Sequence, residues 1–79
     1  MTPITTNDAL IEFCARLKTA PFIAVDTEFM RETTYWPKLC LIQAASMTDA
    51  ANIDPLAEGL DLAPFLDLLR DESILKVFH

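Results

Sequence analysis

The run Phe22-Ile23-Ala24-Val25 has no polar alternation and leads without a break into Asp26-Thr27-Glu28-Phe29. A short unbroken apolar run of this kind is expected of a strand buried on both faces, which points to the interior of an α/β sheet. Strand side chains alternate, so Asp26 and Glu28 project from one face while Thr27 points away. Two carboxylates then stand side by side at the end of the most hydrophobic strand, where open α/β sheets place their ligands. Held close in partial burial they repel, so either one takes up a proton or a cation settles between them. Carboxylate oxygens suit hard ions such as Mg²⁺ and Mn²⁺. The same pair also reads as a solvated strand end, and periodicity and spacing leave that choice open.

The segments around this strand frame it. Thr5 and Asp8 have the spacing of a capping box, with Asp in place of the usual Glu. Leu10, Phe13, Cys14 and Leu17 follow at i, i+3, i+4 and i+7, one face of a helix that should stop before Pro21. A second strand, Lys38-Leu39-Cys40-Leu41-Ile42-Gln43-Ala44-Ala45, comes after a polar and aromatic connection over residues 30–37. That connection is too short for a parallel crossover, so antiparallel pairing is expected. Residues 50–54 read as a third strand, and residues 55–62 as a loop carrying the only glycine, Gly59. A second helix begins near Asp61 or Leu62 with Pro64 in its first turn, and Phe65, Leu68 and Leu69 share its inner face. A final strand spans residues 74–79. The expected order is helix, three meander strands, helix, strand, with no repeat or linker to divide it.

Composition adds bounds. A chain of 79 residues has room for one small domain, yet 52% of its residues are hydrophobic. That apolar share exceeds the usual one, so some apolar surface is expected to lack a partner within the chain, as in a piece of a larger fold. The net charge of −6 opposes non-specific nucleic-acid binding, unless divalent cations occupy some of the carboxylates. Cys14 and Cys40 lie inside apolar segments and show no metal-ligand or disulfide spacing. No secretory signal precedes the first helix, and no apolar stretch approaches the roughly 20 residues that span a bilayer. The expectation is a reduced, cytoplasmic setting without a membrane.

At this point the residues carry a resemblance. The stretch from Phe22 through Asp26-Thr27-Glu28-Phe29, Tyr35-Trp36-Pro37-Lys38 and Leu39-Cys40-Leu41-Ile42-Gln43 closely resembles the first motif of the ribonuclease D family. The terminal Lys76-Val77-Phe78-His79 resembles the opening of that family's second motif. The resemblance implies a ribonuclease-H-like α/β fold, with the first three strands antiparallel and the fourth parallel to the first. It implies removal of nucleotides from RNA 3′ ends, notably in the maturation of tRNA precursors, with two divalent ions (Mg²⁺ or Mn²⁺) held by acidic residues from three motifs. Carried over, Asp26 would bridge both ions, and Glu28 would bind the ion that activates water. Residues 1–79 would be the N-terminal part of a single exonuclease domain, ending before the second acidic motif is complete. The chain alone is accordingly expected to be inactive and to self-associate through its open sheet edge.

Other residues carry weaker expectations. Thr27 and Phe29 would line a pocket for the 3′ nucleotide, although Phe29 reads equally as core. His79 would touch the terminal nucleotide or stand as an uninvolved imidazole. Tyr35 and Trp36 read as staples of the connection more than as stacking platforms for bases, and Arg31 and Lys38 as surface cations. Two other functions remain open: a proofreading exonuclease of the same fold acting on DNA, and a non-catalytic interaction module. An intact Asp26/Glu28 pair argues against the module, which would have no reason to keep two repelling carboxylates together.

Overall fold

A computed structural model describes residues 2–30 and 38–78, without the side chains of Met30, Lys38 and Cys40. His79 and residues 31–37, including Arg31, Tyr35 and Trp36, lie outside the described residues. The elements follow the expected order: α1 (Asn7–Leu17), β1 (Phe22–Met30), β2 (Lys38–Ala45), β3 (Ala50–Ile53), α2 (Ala63–Arg70) and β4 (Leu75–Phe78).

The strands form one mixed sheet in the order β3-β2-β1-β4. β1 pairs antiparallel with β2 and β2 antiparallel with β3, while β4 lies parallel to β1. Each connection explains its pairing. Short links fold β1 to β3 into a meander, and α2 supplies the crossover that brings β4 back alongside β1 in the same direction.

Helix α1 starts one residue later than the capping-box spacing indicates. Thr6, not Thr5, is the N-cap, and its hydroxyl accepts a hydrogen bond from the Ala9 N–H at 3.3 Å. Extended backbone at Thr6 lets the hydroxyl reach the third residue of the helix, which Thr5 is one position too early to do. Helix α2 carries Pro64 in its first turn as expected, with Leu62 as a cap that makes no side-chain bond.

Both helices pack on the same side of the sheet. Leu10, Phe13, Cys14 and Leu17 of α1 join Phe65 and Leu68 of α2 against Ile23, Val25, Ile42, Ala44 and Ile53. All are at most 5% exposed, and fully burying a large apolar side chain contributes about 1.5–3 kcal/mol. Burial pushes the Cys14 thiol above its ordinary range, with nearby Lys18 opposing, as suits an inert apolar filler. Asn7 ties this layer to the β3–α2 loop. Its Nδ2 donates to the Gly59 carbonyl at 3.1 Å, and its Oδ1 accepts from the Asp61 N–H at 2.7 Å. Gly59 holds a φ of 78°, a conformation that only glycine adopts without strain.

The opposite face of the sheet differs from the sequence expectation. β1 is buried on one face only. Ile23 and Val25 are shut in at 0% and 2% exposure, but Ala24 and Asp26 are only half-buried. The reason is geometric: α1 and α2 both cover the same side. The two sheet edges differ as well. Ile4 bridges onto Ile53 and exchanges hydrogen bonds with Asn52 and Asp54, covering the β3 edge. At the other edge, Leu75, Val77 and Phe78 of β4 are exposed. Apolar surface is thus left uncovered by the described residues, at this edge and elsewhere.

Candidate functional site

The site begins with the direction of β1. Because β1 and β4 run parallel, both deliver their carboxyl ends to the same side of the molecule, with Phe78 level with Val25. Asp26 is the next residue of β1 after Val25, toward that carboxyl end. Ligands of open α/β sheets gather at this location.

The register fixes which way the acids face. Val25 pairs with Ala44 and Thr27 with Ile42, both buried partners on the helix-covered side. Asp26 pairs with Gln43 and Glu28 with Leu41, so the two carboxylates share the opposite, open face. Alternation holds through Glu28 because the irregularity comes immediately after it. Between Glu28 and Phe29 the pairing jumps from Leu41 to Leu39, a β-bulge that leaves Cys40 as the extra residue. Bulges twist and bend a strand locally, and they recur next to active sites because they re-aim side chains.

Asp26 is half-buried and Glu28 exposed. Among the described residues, the ion pairs engage Arg16 with Glu12 and Asp49, and Arg70 with Asp67, and none reaches Asp26. Nor does a third His, Cys, Asp or Glu join the pair to complete a cluster of metal-ligand type among the described residues. The donor set is two hard oxygen ligands on one face, which fits part of the shell of a divalent ion whose other positions are taken by water or other groups.

Thr27 lies on the helix-side alternation yet is exposed. Phe29 is 58% exposed and takes no part in the core of the described residues. Two residues without an expected role also enter the site. Gln43 stands beside Asp26 in β2 and Asn52 beside Gln43 in β3, and together with Asp26, Ala24, Ala45 and Ala50 they line an open hollow of about 340 Å³. The signal for Gln43 was present: it is the lone polar residue between Ile42 and Ala44, and their inward facing turns it outward. Asn52 was legible only once β3 was set in register.

Comparison with known proteins agrees with this geometry. The profile of the 3'-5' exonuclease family matches residues 1–79. A ribonuclease D from Sphingobium indicum is 61% identical over 77 residues, covering 96% of this chain and 20% of that protein. The chain thus spans about a fifth of the length of the curated relatives it matches. The crystal structure of Escherichia coli RNase D, an exoribonuclease involved in structured RNA processing, superposes with a TM-score of 0.87 at 46% identity. That match covers 100% of this chain and 21% of the E. coli chain. Trypanosoma brucei RNase D, solved in complex with RNA U12, gives a TM-score of 0.79 at 26% identity, covering 98% of this chain and 28% of its own. With a family match over its whole length and relatives of this similarity, the chain belongs to the 3'-5' exonuclease family, among its ribonuclease D members.

Proposed function

We propose that this chain contributes Asp26 and Glu28 as metal ligands to a two-ion 3′→5′ exoribonuclease that trims RNA 3′ ends. One observation carries the reading: the two carboxylates share a face at the carboxyl ends of parallel strands, with Asp26 outside every ion pair among the described residues. An Arg or Lys clamped onto Asp26 would have satisfied its charge and left nothing for a cation.

In this reading Asp26 would hold both ions, and Glu28 the one that activates water. Divalent ions at such a site supply a nucleophile at neutral pH and neutralise charge on the departing oxygen. The chain's own residues supply position. The half-burial of Asp26 lowers the local dielectric, so its hold on a cation is stronger than that of a freely solvated carboxylate. The exposed ring of Phe29 offers a surface for the terminal base, since stacking on an aromatic ring tolerates any base. Thr27 and His79 complete the proposed 3′-nucleotide contacts. RNA as substrate is supported by the ribonuclease D relatives and by the RNA complex of the T. brucei protein. We extend this to tRNA precursors and to a cytoplasmic enzyme; among the described residues no helix is long and apolar enough to cross a membrane.

Two carboxylates are too few to fix two ions in line with a scissile bond. These 79 residues taken alone are therefore expected to bind divalent ions weakly and to leave RNA ends intact. The test is a Mn²⁺ titration of this chain, following the electron paramagnetic resonance signal of the free ion. Asp26→Asn should abolish specific binding, and Glu28→Gln should weaken it by about tenfold or more. Equal binding by wild type and both variants would remove the metal reading. Mg²⁺-dependent trimming by the 79 residues, lost in Asp26→Ala, would instead overturn the expected inactivity.

A further inference from the structure

We infer that Gln43 is a positioning residue for Asp26, holding its carboxylate toward the cation, and that Asn52 steadies Gln43 in turn; this rests on the metal-site reading above. The register is the starting point. Asp26 pairs with Gln43 and Gln43 with Asn52, so three polar side chains form one straight row across β1, β2 and β3 on the open face. Directly opposed side chains in such pairs have Cβ atoms about 4.5–5.5 Å apart, within reach of one another's polar ends.

The surroundings make the row stand out. Its neighbours on the same face are the apolar Ala24, Leu41, Ala45, Ala50 and Val77, together with Glu28 two residues along β1 from Asp26. The row also lines the open hollow of about 340 Å³, where the small alanines leave room for the amides to lie along the sheet. Among the described residues, no hydrogen bond or ion pair engages the side chains of Asp26, Gln43 or Asn52.

The chemistry of the row matches a cation site. A carboxylate that gives one oxygen to a metal ion keeps the other as an acceptor, and metal-ligating carboxylates are in turn hydrogen-bonded. The Gln43 amide is a suitable donor: it is neutral, so it orients the carboxylate without displacing the cation as Lys or Arg would. Its carbonyl is left to accept from the Asn52 amide. With a cation bound, Gln43 would donate to Asp26 and Asn52 would support Gln43; the β1–β2–β3 register sets the three residues side by side.

The test uses this chain with Mn²⁺ alone, read by the resonance signal of the free ion, alongside the thermal unfolding midpoint of each variant. Gln43→Met keeps the side-chain length and removes the amide. It should weaken Mn²⁺ binding about tenfold with little change in the midpoint. Asn52→Ala should weaken it by a smaller factor, and Gln43→Asn should recover part of the loss. Should Gln43→Met fold poorly, Gln43→Ala serves in its place with the same expected loss. If the Gln43 variants bind Mn²⁺ within twofold of wild type while Asp26→Asn does not bind, the positioning role is overturned and the carboxylate reading stands. A lowered midpoint with unchanged affinity overturns it equally, since it marks a purely structural residue. If Asp26→Asn itself binds like wild type, the metal reading fails and takes this inference with it.

Discussion

On the side of the sheet that carries α1 and α2, Ile23, Val25, Ile42, Ala44 and Ile53 are all under 5% exposed. One residue along the same strands, Ala24, Asp26, Gln43 and Asn52 are half-buried and Glu28 is open to solvent. The two faces share a backbone, a register and a twist, and differ only in which alternate residues they display. One face is apolar and covered, and its role is to hold the chain in shape. The other keeps a carboxylate pair and two amides half-exposed, which a face chosen for packing would have replaced by Val or Ile. On the proposed function, the contrast separates stability from chemistry within single strands.

The largest effect comes from setting one residue of each side against the other. Phe65→Ala removes a ring that is 2% exposed and should destabilise the fold by about 3–5 kcal/mol, a large share of the stability of a domain this small. Asp26→Asn should change stability by no more than about 0.5 kcal/mol. Urea midpoints measure both, and comparable losses would erase the division between the faces.

A smaller effect concerns the uncovered edge. Leu75 and Val77 are 65% and 43% exposed on the edge strand β4, and we expect this edge to pair with a second copy of the isolated chain. Val77→Lys should shift light scattering toward the monomer mass while leaving the fold intact. Monomeric wild type at high concentration would show that the exposed edge is not adhesive.

The smallest effect lies on neither face, in the turn from α2 to β4. Asp71 accepts from the Ser73 hydroxyl at 2.6 Å and from the Ser73 N–H at 3.0 Å, and these bonds, the hydroxyl's first, hold its carboxyl below the ordinary value of 3.8. A carboxyl depressed in the folded state binds its proton less readily there than in the unfolded chain. Its stabilising contribution is therefore present above 3.8 and is lost as pH falls through the folded value. Ser73→Ala should lower the urea midpoint slightly at neutral pH and converge with wild type in strong acid. A difference that persisted at low pH would place the effect elsewhere than in this carboxyl.

Much of this was legible in the sequence because local rules were obeyed. Period-3.6 spacing located α1 and the inner face of α2, and the apolar run ending in Asp26-x-Glu28 located β1 and its acids. The short link to β2 gave antiparallel pairing, which the register confirms. The misses share a cause. Thr5 and Thr6 compete for one capping position, and only the entry geometry of the chain decides between them. Burial of β1 on both faces was inferred from its unbroken apolar run, which records that the residues are apolar and not whether a layer covers them. Gln43 and Asn52 went unnoticed because their meaning lies in the neighbours they acquire across strands.

Strand alternation and helical periodicity are properties of the backbone and need no partner. For that reason the elements, their order and the common face of Asp26 and Glu28 followed from the residues alone. Packing in three dimensions settled the rest: both helices lie on one side, a bulge follows Glu28, and Asp26, Gln43 and Asn52 stand in one row. Those outcomes depend on contacts between residues distant in the chain, and one step of register would have turned every one of these side chains to the other face.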